Sequence, residues 1–243
     1  MRRGEGVFNK VMATMDRLKK YGLIFGTSIC YTRKNIETVT SDEFLDMIIG
    51  KGCRFTWYFH YMPVGNDSAL DLLPTKEQRE YMYHRVREIR SMTGGKPIYA
   101  MDFQNDGEFV GGCIAGGRNY CHINANGDVE PCVFIHYSSA NIREVTLLEA
   151  LKQPLFMAYR DRQPFNDNHL RPCPMLENPE ILQEMIKETG AKSTDLQSPE
   201  SAEHLCSKCE AYACEWKETA DRLWKEHPHQ QKGYTNYKKR TEN

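Results

Sequence analysis

The sequence predicts an α/β protein in two parts: a parallel sheet of about three strands, then a small, cysteine-rich α+β domain. Two observations predict this. Over residues 1–106, apolar runs of strand length alternate with capped amphipathic stretches, the pattern of βαβ units with right-handed crossovers. From Gly107 the alternation stops, and seven of the nine cysteines follow, distributed around an Asn-Gly hairpin signal. The second domain is expected to span 107–226, with a polar tail over 227–243.

Each element has a local reason. Residues 5–21 read as a helix, with Phe8, Val11, Met12, Met15 and Leu18 at helical spacing and Gly22 as its stop. Leu23 to Tyr31 is nearly continuous in apolar and small residues, which suits a strand buried on both faces. Thr40-Ser-Asp-Glu43 reads as a capping box for a helix over 41–50. Arg54 to Met62 is an aromatic-rich strand, followed by a Pro-Val-Gly loop. Thr75-Lys-Glu-Gln78 opens a helix to about Met92, and Pro97 to Phe103 is the third strand. Ligands of such sheets bind beyond the strand C-terminal ends, here near 28–31, 60–65 and 102–105. A chain that opens on a helix and holds three strands leaves sheet edges open, so upstream strands are expected to be missing from it.

In the second part, Asn126-Gly127 predicts a type I′ hairpin with positive φ at both residues. Thr146-Leu-Leu-Glu149 caps a short helix, another covers about 155–162, and Pro172-Cys173-Pro174 is a rigid loop presenting a thiol. Asn178-Pro179 starts a helix that ends at Gly190. Residues 191–203 read as a polar connector, and a last helix covers about 205–226. The apolar core expected here is thin, so a metal centre would help to stabilise the domain.

Composition narrows the function. The chain has 243 residues, 40% hydrophobic and 27% charged, with net charge −1. That is ordinary globular composition, with no global basic field for nucleic acid or anionic membranes. No apolar run approaches the ~20 residues of a membrane span. Nothing at the N-terminus reads as a signal peptide, so a reducing, cytoplasmic setting is expected and disulfides are disfavoured. The tail from Lys225, with Lys238-Lys239-Arg240, is expected to be solvated.

Grouped cysteines in such a setting point to zinc or iron–sulfur. The plain alternative is that each is a small buried hydrophobe. Cys30 and Cys53, beside core strands, take that reading, and Cys121 on the first hairpin strand does too. Cys113, Cys132, Cys173, Cys206, Cys209 and Cys214 read as candidate ligands. On a regular helix Cys206 and Cys209 share a face, and Cys214 lies off it. A zinc knuckle would need two short Cys pairs, and only Cys206-x2-Cys209 has that spacing.

Cys113, thirteen residues, Gly127, four residues, Cys132, then Asn141-Ile-Arg-Glu-Val-Thr-Leu-Leu-Glu-Ala-Leu, resembles the opening of a SPASM or twitch extension. These are C-terminal iron–sulfur modules of radical S-adenosylmethionine (radical SAM) enzymes. The preceding βα units resemble the later half of that superfamily's partial (β/α)6 TIM-type barrel. The resemblance covers about residues 5–224. Two features depart from the pattern. The superfamily's Cys-x3-Cys-x2-Cys, which holds the cluster that cleaves S-adenosylmethionine, is absent from the nine cysteines. About three upstream βα units are absent as well, so truncation would account for both gaps. Cys206-x2-Cys209-x4-Cys214 is also shorter than the full SPASM spacing, which favours one auxiliary cluster over two.

The resemblance implies an auxiliary 4Fe-4S cluster on Cys113, Cys132, Cys173 and one of Cys206, Cys209 or Cys214. It implies that the full-length form generates a 5′-deoxyadenosyl radical from S-adenosyl-L-methionine and modifies a substrate, a peptide being one candidate, with electrons from a reductant protein. By strand position Ser28 would contact the cofactor, and His60, Tyr61 and Gly65 would line the neighbouring pocket, with barrel packing as the alternative for His60 and Tyr61. The chain alone would lack the radical-forming step. The alternatives are a non-catalytic iron–sulfur scaffold and a zinc-binding module.

Overall fold

The computed structural model describes residues 4–226; the tail expected over 227–243 lies outside them. The chain divides into two compact units. One holds the described residues up to Tyr61 and then Asp71–Asn105; the other holds Met62–Leu70 and the residues from Asp106. The loop after the second strand, expected in the first domain, therefore groups with the second. Its contacts explain this: the Gly65 N–H donates to Glu200 Oε2 at 3.0 Å, and Lys208 Nζ donates to the Gly65 carbonyl at 2.8 Å.

The first unit carries α1 (Val7–Lys20), β1 (Gly26–Tyr31), α2 (Ile36–Thr40), α3 (Asp42–Gly50), β2 (Phe55–His60), α4 (Lys76–Ile89) and β3 (Tyr99–Asp102). Its strands form one parallel sheet in sequence order. Alternation along β2 sets two faces. Thr56, Tyr58 and His60 are buried, and with Tyr31 and Ala100 they lie on the face that packs against Leu45, Ile48, Met82, Val86 and Ile89. The opposite face carries Ser28 and Trp57, both exposed, and a cluster of Trp57, Phe59 and Phe103 with ring centroids 5.0–5.9 Å apart. β1 is thus covered on one face, not two as its composition suggests, and Leu23 and Ile24 fall outside it and are exposed.

Two helix expectations change. On α1 only Met15 is buried, while Phe8 and Val11 are exposed. The cap of α3 is Ser41, which accepts from the Phe44 N–H at 3.1 Å; Thr40 instead ends α2 and donates to the Ile36 carbonyl. The Thr75–Gln78 capping box of α4 forms as read.

The second unit holds α5 (Gly107–Val110), β4 (His122–Ile123), β5 (Val129–Glu130), β6 (Tyr137–Ser138), α6 (Leu147–Ala150), α7 (Pro154–Arg162), α8 (Pro179–Thr189), β7 (Lys192–Ser193) and α9 (Ala202–Glu226). β4 pairs antiparallel with β5, and β6 with β7; the last pair lies partly in the stretch read as a connector. The core is not thin. Leu205, Cys206, Cys209, Tyr212, Ala213, Trp216, Ala220 and Leu223 form the buried stripe of α9. It packs with Leu182, Met185 and Ile186 of α8. Each large apolar side chain so buried contributes about 1.5–3 kcal/mol.

Candidate metal centre

The hairpin between Cys113 and Cys132 is built around Asn124. Its Oδ1 accepts the N–H groups of Asn126 at 2.9 Å and Asp128 at 3.0 Å, and its carbonyl accepts the Gly127 N–H at 3.0 Å. Gly127 has φ +93°, while among the described residues no non-glycine residue has positive φ. The turn is therefore not type I′. It is a three-residue connection with glycine at the left-handed position, favoured because Asn124 bonds its own downstream backbone.

Cys113 is held by its carbonyl and its neighbours. Arg118 reaches back to the carbonyls of Val110, Gly111 and Cys113 at 2.6–3.0 Å. Gln163, just beyond α7, donates to the carbonyls of Cys113 at 3.2 Å and Ala115 at 2.9 Å. The Gly116 N–H bonds the Pro131 carbonyl at 3.0 Å, tying the Cys113 loop to the residue before Cys132. Gly116 has φ +67°, and a Cβ there would stand 2.5 Å from the Tyr159 side chain, so both backbone and space require glycine.

Cys173 sits on a loop stitched by its successors. Its N–H donates to Glu177 Oε2 at 2.6 Å, and its carbonyl accepts from the Asn178 side chain at 3.0 Å. Its sulfur accepts the Leu176 N–H at 3.4 Å. On α9, Cys206 and Cys209 are buried, while Cys214 is exposed beside Lys217, Glu218 and Asp221. Cys121 packs against the small cluster of Val129, Ala150 and Phe156, and Cys53 lies in the core of the first unit. Cys30 is half-buried on β1.

Burial dominates the electrostatics. Desolvation pushes the thiol of Cys113 up to about 11 and those of Cys132, Cys206 and Cys209 up to about 12; it raises Cys173 well above the ordinary value. Cys113, Cys132 and Cys173 lie within electrostatic reach of one another, and Cys209 within reach of Cys206. Tyr159, on α7, is fully buried and feels Cys113, Cys132, Cys173 and Cys206 together. These thiols are protonated as they stand. A bound cation is what would make them thiolates.

Cys113, Cys132 and Cys173 are thiols from three separated segments, donors of the kind an iron–sulfur cluster takes. Among the described residues no group of three or more His, Cys, Asp or Glu side chains is placed to hold one metal ion. A cube of four irons is larger and takes thiolates from separated segments, which is how Cys113, Cys132 and Cys173 are supplied. The buried Tyr159 hydroxyl, with no hydrogen-bond partner among the described residues, fits the same conclusion.

Of the residues read as lining a cofactor pocket, Ser28 and His60 lie on opposite faces of the sheet. Ser28 pairs with Trp57 and His60 with Tyr31 in the sheet register, which puts Ser28 on the open face and His60 on the helix-packed face. His60 is 1% exposed, packs edge-on to Tyr31 at 5.5 Å, and its N–H donates to Gln104 Oε1 at 2.9 Å. Burial, then the Arg79 charge, depresses its pKa to about 3. Tyr61 is half-buried at the strand end, its N–H bonded to the Tyr31 carbonyl at 3.0 Å. Gly65 belongs to the second unit. Arg118, Tyr159, Gln163, Glu177 and Asn178 were not singled out from sequence. Only the proximity of Arg118 to Cys113 and of Glu177 and Asn178 to Cys173 could have suggested them.

Residues 113–175 match the SPASM family, an iron–sulfur cluster-binding domain. The AdoMet-dependent heme synthase of Oleidesulfovibrio alaskensis is 22% identical over 185 residues, 66% of this chain and 47% of that protein. The chain thus spans about half the length of this curated relative. The solved structure of Streptococcus suis SuiB aligns with TM-score 0.47 and 16% identity over 63% of this chain and 40% of that one. Residues 113–175 thus match a SPASM iron–sulfur cluster-binding domain, and the chain around them is similar to an AdoMet-dependent enzyme.

Proposed function

We propose that Cys113, Cys132, Cys173 and Cys206 hold one auxiliary 4Fe-4S cluster in a protein that, in its whole form, uses S-adenosylmethionine for radical modification of a substrate. The observation that carries the reading is Tyr159, buried within electrostatic reach of those four sulfurs. Cys209 is the alternative fourth ligand; its sulfur donates weakly to the Leu205 carbonyl at 3.7 Å. Cys214 is left out because it is exposed.

When bound, the cluster supplies one-electron transfer. The chain's own contribution is to position and enclose it. Arg118 and Gln163 fix the backbone of Cys113, and Glu177 and Asn178 fix that of Cys173. The α8 and α9 core keeps water from Cys206. In the other unit, parallel strands in sequence order support the reading as part of a (β/α)6 barrel. The face with Ser28, Trp57, Phe59 and Phe103 would then be its inside, where S-adenosylmethionine and substrate bind. This replaces His60 as a pocket residue.

A peptide substrate, a reductant protein as electron donor and a cytoplasmic setting complete the proposal. The name of the relative favours a second reading of the substrate, a molecule of heme synthesis. Among the described residues no helix is long and apolar enough to cross a membrane.

Anaerobic reconstitution with iron and sulfide tests the reading. About four irons and four sulfides per chain support it. One zinc per chain without sulfide overturns it in favour of the zinc module.

A further inference from the structure

Resting on the cluster reading above, we propose that the Tyr159 hydroxyl donates a hydrogen bond to a sulfur of the cluster and thereby raises its reduction potential. Tyr159 is 0% exposed. Its ring is wedged between Gly116, which follows Cys113 by three residues, and Phe165, whose ring stands edge-on at 5.2 Å. Phenylalanine would meet these packing demands equally well. The hydroxyl is therefore the part that needs a reason, since it is buried with no hydrogen-bond partner among the described residues.

Three other buried tyrosines place this hydroxyl on an acceptor. Tyr58 donates to the Val39 carbonyl at 2.8 Å, Tyr137 donates to the Glu200 carbonyl, and Tyr31 reaches Asp102 Oδ2 at 3.5 Å. A buried hydroxyl without a partner is costly to the fold, so its retention here points to an acceptor that arrives with a ligand. The groups whose charge it senses are the sulfurs of Cys113, Cys132, Cys173 and Cys206, which are the proposed ligands. The segment between Cys113 and Cys132 leaves room for the ring only because residue 116 has no side chain.

Hydrogen bonds to the sulfurs are one of the terms that set a cluster's potential. A donor favours the more negative, reduced form, so it raises the potential. No proton is transferred and no bond is broken in this role.

The test is Tyr159→Phe in the full chain, reconstituted beside the wild type. Expected are equal iron and sulfide contents, and a midpoint potential lower in the variant by a tenfold change in the reduction equilibrium, 59 mV for one electron. In the wild-type reduced cluster, electron–nuclear double resonance in H2O and D2O should show an exchangeable proton coupled to the cluster, absent from the variant. The metal-free variant should melt no lower than the metal-free wild type, because the hydroxyl it loses has no partner there. Equal potentials with full iron content, or no exchangeable proton in the wild type, overturn the hydrogen bond and leave the cluster reading standing. No iron and sulfide in the wild type overturns both.

Discussion

In the sheet unit, burial and bonding agree around Asp102. Leu45, Ile48, Val86, Ile89 and Ala100 are buried and apolar. The buried polar groups beside them have protein partners: Asp102 accepts from the Asn105 side chain at 2.8 Å, and Arg79 donates to Asn105 Oδ1 at 3.0 Å. In the cysteine unit they do not agree. Cys132, Cys206 and Cys209 are buried beside the largely enclosed Cys113 and Cys173, all with raised pKa, and the Tyr159 hydroxyl goes unmatched. In the first unit, Asp102, Asn105 and Arg79 are matched by one another. In the second, the buried Tyr159 hydroxyl has no hydrogen-bond partner among the described residues, as expected of a donor at a site completed by a cluster whose sulfides can accept.

Leu45→Ala bears on the first half of that contrast. It should destabilise the sheet unit by about 2–5 kcal/mol, read by urea unfolding, and leave reconstituted iron content unchanged. Gly116→Ala bears on the other half. It introduces a Cβ 2.5 Å from Tyr159 at φ +67°. A loss of about 1–3 kcal/mol is expected, together with loss of iron binding.

A pH-dependent effect comes from His60. Its folded pKa, about 3, lies below the ordinary 6.5 because of burial and then Arg79. Between these values the unfolded chain binds a proton that the folded chain refuses. The stabilisation is full above pH 6.5 and is lost as pH falls toward 3, with a slope of at most about 1.4 kcal/mol per pH unit. Stability–pH curves of wild type and His60→Gln should differ by that slope, and parallel curves would contradict a buried, neutral His60.

Much of this contrast was legible in the sequence, and its failures have physical reasons. The βα alternation, the Thr75 and Thr146 capping boxes and the separation of Cys206 and Cys209 from Cys214 are local, and local rules found them. The hairpin was found but its turn type was not, because the Asn124 side chain competes for the backbone two residues on. β6 and β7 have two residues each and so no period to read. The opposite faces of Ser28 and His60 depend on the register Ser28↔Trp57, which no single strand encodes. Tyr159 and Gln163 approach Cys113 from about 50 residues away, beyond any spacing rule.

The most direct measurement is iron and sulfide content after reconstitution of Cys173→Ala beside Cys214→Ser. The account predicts that the first loses the intact cluster and the second keeps about four irons and four sulfides per chain. Equal loss in both, or a full cluster in Cys173→Ala, would contradict it.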